Sequence, residues 1–150
     1  MKDERPPSAF PPIDVSLRGD EHVRLYQKTH GEKGYLWNGA PILLVTTKGR
    51  NSGEPRIIPI IFTQYGDSHV IIASKGGSPT HPQWYLNILQ EPRVRVQVKA
   101  DEFDAIARTA ESPERERIWA EAVKTWPRYD EYQSRTSRLI PVVVLQRRPR

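Results

Sequence analysis

The sequence predicts an α+β fold: a mostly antiparallel barrel of about six strands with helices inserted between them. Three observations carry this. Two β-rich runs flank Tyr65-Gly66-Asp67, a hairpin turn in which Gly66 can take a positive φ. "RVRVQVK" alternates strictly, as a strand with one wet face does. The helical segments do not follow the strands one by one, so a doubly wound parallel sheet is excluded.

Residues Met1 to Pro12 are proline-rich and too poor in apolar residues to fold alone. With the residues up to 18 they read as a flexible N-terminal arm, leaving 19–150 as one domain. "GDEHVRLYQKTH" places Val23, Tyr26 and His30 on one helical face, with Asp20 as N-cap and Gly31 as the stop. This amphipathic helix can cover the core or touch a membrane surface. "APILLVTTKG" is a short, β-branched, buried strand closed by glycine, and "GRNSGEPR" is a turn by residue type. Pro59, inside the run "RIIPIIF", belongs on a strand edge or bulge because it has no N–H for a ladder.

"SKGGSPTHPQWYLNI" ends one strand and opens a helix at His81-Pro82. Its Trp84-Tyr85 pair reads as exposed, and Gly76-Gly77 as a tight turn or a place where a ligand approaches the main chain. "DEFDAIART" pairs with "RVRVQVK" across an Ala100-Asp101 turn. Ser112 is the expected N-cap of a helix with Pro113 in its first position, running to about Thr125 on the capping pattern. "RYDEYQSRTSR" supplies a further short helix and "LIPVVVL" a last buried strand.

Composition narrows the function. Cysteine is absent, which excludes disulfides, thiolate nucleophiles and sulfur-ligated metals. No apolar run approaches the roughly 20 residues of a membrane span, and the N-terminus lacks a secretory layout. A cytoplasmic protein is expected, with peripheral membrane association through the N-terminal region left open. The formal charge of +5, from 23 Lys+Arg and 18 Asp+Glu, favours anionic partners. Nucleic acid is not expected among them, since basic-aromatic stripes and known reading motifs are missing.

The four histidines fall at no ligand spacing, so no metal is expected. Nucleophile-elbow, Walker and dinucleotide fingerprints are also missing. What remains is cationic, glycine-rich strand ends: Gly49-Arg50, Gly53 with Arg56, and Ser74-Lys75-Gly76-Gly77. Guanidinium forks, an ammonium and turn N–H groups would together suit a phosphate or polycarboxylate. Solvated hairpin turns would look the same.

The runs "ILLVTTKGRNSGEPRIIPIIF", "ASKGGSPTHPQWYLNILQEPRVRVQV" and "WPRYDEYQSRTSRLIPVVVL" resemble, in order, the deazaflavin-dependent nitroreductase family, whose members use coenzyme F420. The resemblance implies a split β-barrel like those of FMN-binding reductases. It implies that Arg50, Asn51, Ser52, Arg56, Lys75, Gly76 and Gly77 hold the phosphate and oligoglutamate tail of F420. Pro59, Ile60, Ile61, Ile72, Ala73 and Ser74 would line the deazaflavin, with Gln83, Trp84 and Asn87 closing the groove. Trp126, Tyr129 and Tyr132 would border the substrate, Tyr129 being the expected proton donor. Asn51, Ile61 and Trp126 depart from residues common in that family, so nitro-drug activation is not implied. The reaction implied is hydride transfer to a small electron-poor acceptor: a quinone, enone or nitroaromatic. FMN-dependent reduction and non-catalytic F420 carriage are the alternatives, and oligomeric state is left open.

Overall fold

The computed structural model describes residues 8–149. Its strands are β1 (Leu36–Trp37), β2 (Ala40–Lys48), β3 (Pro55–Tyr65), β4 (Ser68–Ile72), β5 (Arg93–Val98), β6 (Asp101–Thr109) and β7 (Val142–Arg147). The sheet order is β1-β2-β3-β4-β7-β6-β5, every pair is antiparallel, and β2 also pairs with β5 through Val45 and Val96. That last pairing closes six strands into a barrel, with β1 added outside on β2.

The alternation of each strand divides the core in two. Leu43, Phe62, Ile71, Val96, Phe103 and Leu145, one from each barrel strand, meet in one cluster, which is therefore the barrel interior. Helix α2 (Gln83–Gln90) adds Trp84, Tyr85 and Ile88 to it. Both aromatics are buried, not exposed as the sequence suggested. A short helix can bury two adjacent large residues when one packs inward and the other closes the barrel's end. The second cluster lies outside, where Ile42, Leu44, Ile72 and Val142 are covered by α1 (Gly19–Thr29), α3 (Glu114–Thr125) and α4 (Arg128–Ser134). Each fully buried aliphatic side chain stabilises by about 1.5–3 kcal/mol.

Three end signals shift. Helix α1 begins at Gly19 with Arg18 as N-cap, so Asp20 lies within the first turn, where its carboxylate faces the positive end of the helix. The chain leaves α1 through His30 in the left-handed conformation, and Gly31 N–H then bonds the Tyr26 carbonyl at 2.8 Å. Pro113 occupies the cap of α3, while Ser112 donates its hydroxyl to Glu116 and accepts from no backbone N–H of the helix start. The β5–β6 turn is Lys99-Ala100, one residue earlier than expected, because Lys99 N–H is held by the Tyr26 hydroxyl at 2.7 Å.

Pro59 pairs with Leu44 on β2, whereas β4 joins β3 only from Phe62 onward. The proline therefore stands on a stretch with one free edge, as its missing donor requires. Residues 1–7 of the expected arm lie outside the described residues. From residue 8 to 17 the chain forms no helix or strand, yet it is tied to the domain. Trp37 Nε1 donates to the Leu17 carbonyl at 2.8 Å, Asp14 N–H to Asn38 at 2.9 Å, and Arg128 sits over Phe10 at 5.0 Å.

Candidate active site

Where β3 has its free edge, the outer face of the barrel opens into a cavity of about 450 Å³. Ile58, Pro59, Ile60 and Ile61 all line it. Four consecutive residues cannot share one face of a strand, so the cavity meets the strand's edge, main chain included. Ile72, Ser74, Lys75 and Gly76 form a second wall, and Trp84 and Pro82 a third. Trp126, Tyr129 and Tyr132 close it from α4 and its approach. The lining is mostly apolar and aromatic with few polar groups, the usual character of a small-molecule site.

A second cavity of about 500 Å³ adjoins it and shares Ile58 and Trp84 with the first. Gly49, Arg50, Asn51, Ser52, Arg56, Gln83 and Asn87 complete its lining. Arg50 is held in place: its guanidinium donates to Gln83 Oε1 at 2.6 Å and to Asn87 Oδ1 at 2.9 Å. Asn87, itself buried, donates to Thr47 on β2 at 3.1 Å. Helix α2 thus orients a cation at the groove through an amide already anchored to the barrel. Such preorganisation reduces the entropy lost when an anion binds.

The loop from residue 73 to 81 is built around Arg138. Its guanidinium donates to the carbonyls of Ser74 at 2.7 Å, Ala73 at 3.2 Å and Ser78 at 2.7 Å, and meets His81 Nδ1 at 3.1 Å. Burial and the Arg138 charge hold the His81 imidazole below its ordinary range. The two glycines do different things. A Cβ on Gly76 would meet open space, and this residue lines the cavity. A Cβ on Gly77, where φ is +83°, would come within 2.6 Å of the Tyr132 carbonyl, so this glycine lets α4 pack against the loop.

Tyr129 is buried, with Trp119 and Tyr132 rings 6.1 and 6.2 Å away. Its hydroxyl has no hydrogen-bond partner among the described residues. Burial first, and Tyr132 second, push its pKa well above the usual phenol range. It therefore stays protonated and can donate a hydrogen bond, but it surrenders its proton reluctantly. Tyr132 accepts a hydrogen bond from Trp126 Nε1 at 3.3 Å, which fixes the indole against Trp37, 5.9 Å away.

The sequence-predicted residues divide accordingly. Pro59, Ile60, Ile61, Ile72, Ser74, Lys75, Gly76, Trp84, Trp126, Tyr129 and Tyr132 come together in the first cavity, and Arg50, Asn51, Ser52, Arg56, Gln83, Trp84 and Asn87 in the second. Lys75 thus belongs with the apolar cavity and not with the arginines it was grouped with. Ala73 faces the barrel interior and Gly77 faces α4, so neither lines either of these two cavities. Sequence reasoning missed Ile13, Arg18, His22 and Trp37, all on the cavity lining. The only signal was His22 and Arg18 one helical turn apart, on what looked like a covering helix.

The fold defines a class, the small split-barrel domains. A Listeria innocua protein described as a pyridoxamine 5'-phosphate oxidase has the same fold, with TM-score 0.52 and 15% identity over 85% of this chain and 94% of its own. More specifically, the chain belongs to the F420H2-dependent quinone reductase family, whose model matches residues 18–147. An F420H2-dependent quinone reductase of Mycobacterium tuberculosis is 40% identical over 131 residues, covering 85% of this chain and 88% of the relative. A solved F420H2-dependent reductase is 43% identical, with TM-score 0.67, over 71% of this chain and 94% of its own. The family is one of oxidoreductases that use coenzyme F420.

Proposed function

We propose that this protein uses F420 to reduce a small electron-poor acceptor: a quinone, enone or nitroaromatic. The observation that supports it is the continuity of an apolar, aromatic cavity with a cationic groove through Ile58 and Trp84. The residues present fit such a cofactor: a planar head suits the β3 edge, and a phosphate with carboxylates suits Arg50 and Arg56.

When bound, reduced F420 supplies a hydride. In this reading the chain's own residues do the rest. Arg50, Asn51, Ser52 and Arg56 bind the anionic tail, Lys75 lies nearer the head, and Gln83 and Asn87 steady Arg50. Pro59, Ile60, Ile61 and Ile72 set the plane of the head against the strand edge. Trp126, Tyr129 and Tyr132 bound the acceptor and exclude water, which strengthens any hydrogen bond made there. Tyr129 donates to the oxygen on which negative charge develops. The protein thus contributes orientation and electrostatics, the part of cofactor chemistry that falls to the polypeptide.

Fluorescence titrations of the purified protein with F420 and with FMN, followed by turnover of reduced F420 with menadione, test this. Tighter F420 binding and menadione-dependent oxidation are expected. Equal or tighter FMN binding overturns the cofactor assignment, and F420 binding without turnover makes the protein a carrier.

A further inference from the structure

The end of the apolar cavity formed by α1 contains a group that the proposed reaction has not yet used. His22 is 2% exposed and lines the cavity. Its Nε2 lies 2.7 Å from the Gly34 carbonyl oxygen. A carbonyl only accepts, so Nε2 carries hydrogen and the proton that can come and go is on Nδ1. The opposite edge of the ring is packed: a Cβ on Gly34, where φ is +89°, would sit 3.1 Å from Cδ2 and 3.3 Å from Nε2. Gly34 is therefore needed to let the imidazole seat against the backbone. Nδ1 has no hydrogen-bond partner among the described residues, and His22 is part of the cavity lining.

We infer that His22 Nδ1 delivers the proton to the reduced acceptor, while Tyr129 holds the acceptor oxygen without giving up its own. This rests on the hydride-transfer reading above. The balance is simple. A hydride brings two electrons and one hydrogen to the quinone, producing a hydroquinone monoanion. The Nδ1–H bond of protonated His22 then breaks as an O–H bond forms, leaving neutral hydroquinone and neutral imidazole. Solvent then returns a proton to Nδ1; exposed Arg18, one turn before His22, lines the same cavity.

The other groups around the cavity fit less well as the proton source. Lys75 is a point charge on an exposed loop that already donates to Thr80 at 3.2 Å. Tyr132 and Tyr129 carry phenol hydroxyls, weaker acids than an imidazolium, and burial makes Tyr129 weaker still. Tyr26, one turn after His22 on α1, has its hydroxyl committed to the Ile42 carbonyl at 2.9 Å. Strand β3 presents only Ile58, Pro59, Ile60 and Ile61. Imidazole is also the side chain whose ordinary ionisation falls in the neutral range, which suits a proton donor.

Two measurements test the assignment. First, kcat for menadione reduction by reduced F420 is followed against pH in the wild type, His22→Gln and His22→Asn, with melting temperature and F420 fluorescence checking that each variant folds and binds. The wild type should lose kcat as rising pH removes the proton that is delivered. Both variants should lack that limb and run roughly 10- to 100-fold slower at its acid end, with KM for F420 unchanged. A folded variant that keeps the limb overturns the inference. Second, in wild-type protein without cofactor, the His22 ring resonance is assigned through its proximity to Gly34 and titrated with menadione. A saturable shift is expected, and an unmoved resonance at saturating menadione overturns the inference even if neither variant folds. A wild type that never oxidises reduced F420 defeats instead the hydride-transfer reading.

Discussion

Replacing Arg138 by alanine removes the centre of the loop that carries Ser74, Lys75 and Gly76. Three carbonyls and His81 Nδ1 would lose their shared partner. A hydrogen bond from a charged donor contributes about 1.5–3 kcal/mol when a buried acceptor is left unmatched. Arg138 is only partly buried, so water replaces some of what is lost and the four contacts do not add. A net destabilisation of about 2–4 kcal/mol follows, and for a chain of this size that lowers Tm by roughly 5–15 °C. The loop also forms one wall of the apolar cavity, so KM for F420 should rise by more than kcat falls. Arg138→Lys should rescue poorly, because one ammonium cannot reach carbonyls on three residues as a planar fork does. Scanning calorimetry and steady-state kinetics at saturating menadione check both effects. If Arg138→Ala melts within about 2 °C of wild type and keeps its KM, the loop is held by something else and the reasoning is refuted.

Tyr129→Phe keeps the ring and removes the hydroxyl; with no partner to lose among the described residues, it should leave Tm and F420 affinity unchanged while lowering kcat with menadione roughly 10- to 1000-fold. A kcat within about twofold of wild type would show the hydroxyl idle. Arg50→Ala should raise KM for F420 with little change in kcat, since a tail contact is equally strong before and during hydride transfer, and stopped-flow binding at two salt concentrations should show the salt dependence diminished. The pH dependence of stability has a defined sign: His81 has its folded pKa lowered below 6.5, so the unfolded chain binds the extra proton first. The contribution is complete above the unfolded value and is lost as pH falls through the folded one. Urea melts of wild type and His81→Asn between pH 7.5 and 5 should therefore converge at the acid end, and parallel curves would remove His81 as the cause.

The barrel strands could be read from the sequence because their signals are local. Alternation in Arg93 to Val98 and the Gly66-Asp67 turn depend on neighbours in the chain, and both appear where expected. Strand β1 could not be read, since Leu36–Trp37 has no periodicity and exists through its pairing with Pro41 and Ala40. Arg50, Arg56 and Lys75 were identifiable as cations at strand ends, but their division between two cavities depends on how three turns sit around α2. His22 and Arg138 were hidden for a related reason. Each acts on residues distant in sequence, Gly34 or the loop from 73 to 81, and neither sits in a motif of its own.

The free edge of β3 bears on solubility as well as on ligand binding. Between Pro55 and Ile61 the strand pairs only with β2, and an unpaired strand edge rich in isoleucine is a template on which another chain can add. Pro59 interrupts the donor row in the middle of that stretch, and α4 with Trp126 stands over it. The same opening that admits a planar molecule is thus guarded against a polypeptide. Pro59→Val would put an N–H back in the middle of that stretch and remove that guard, and a filled cavity would protect the edge much as a neighbouring strand would.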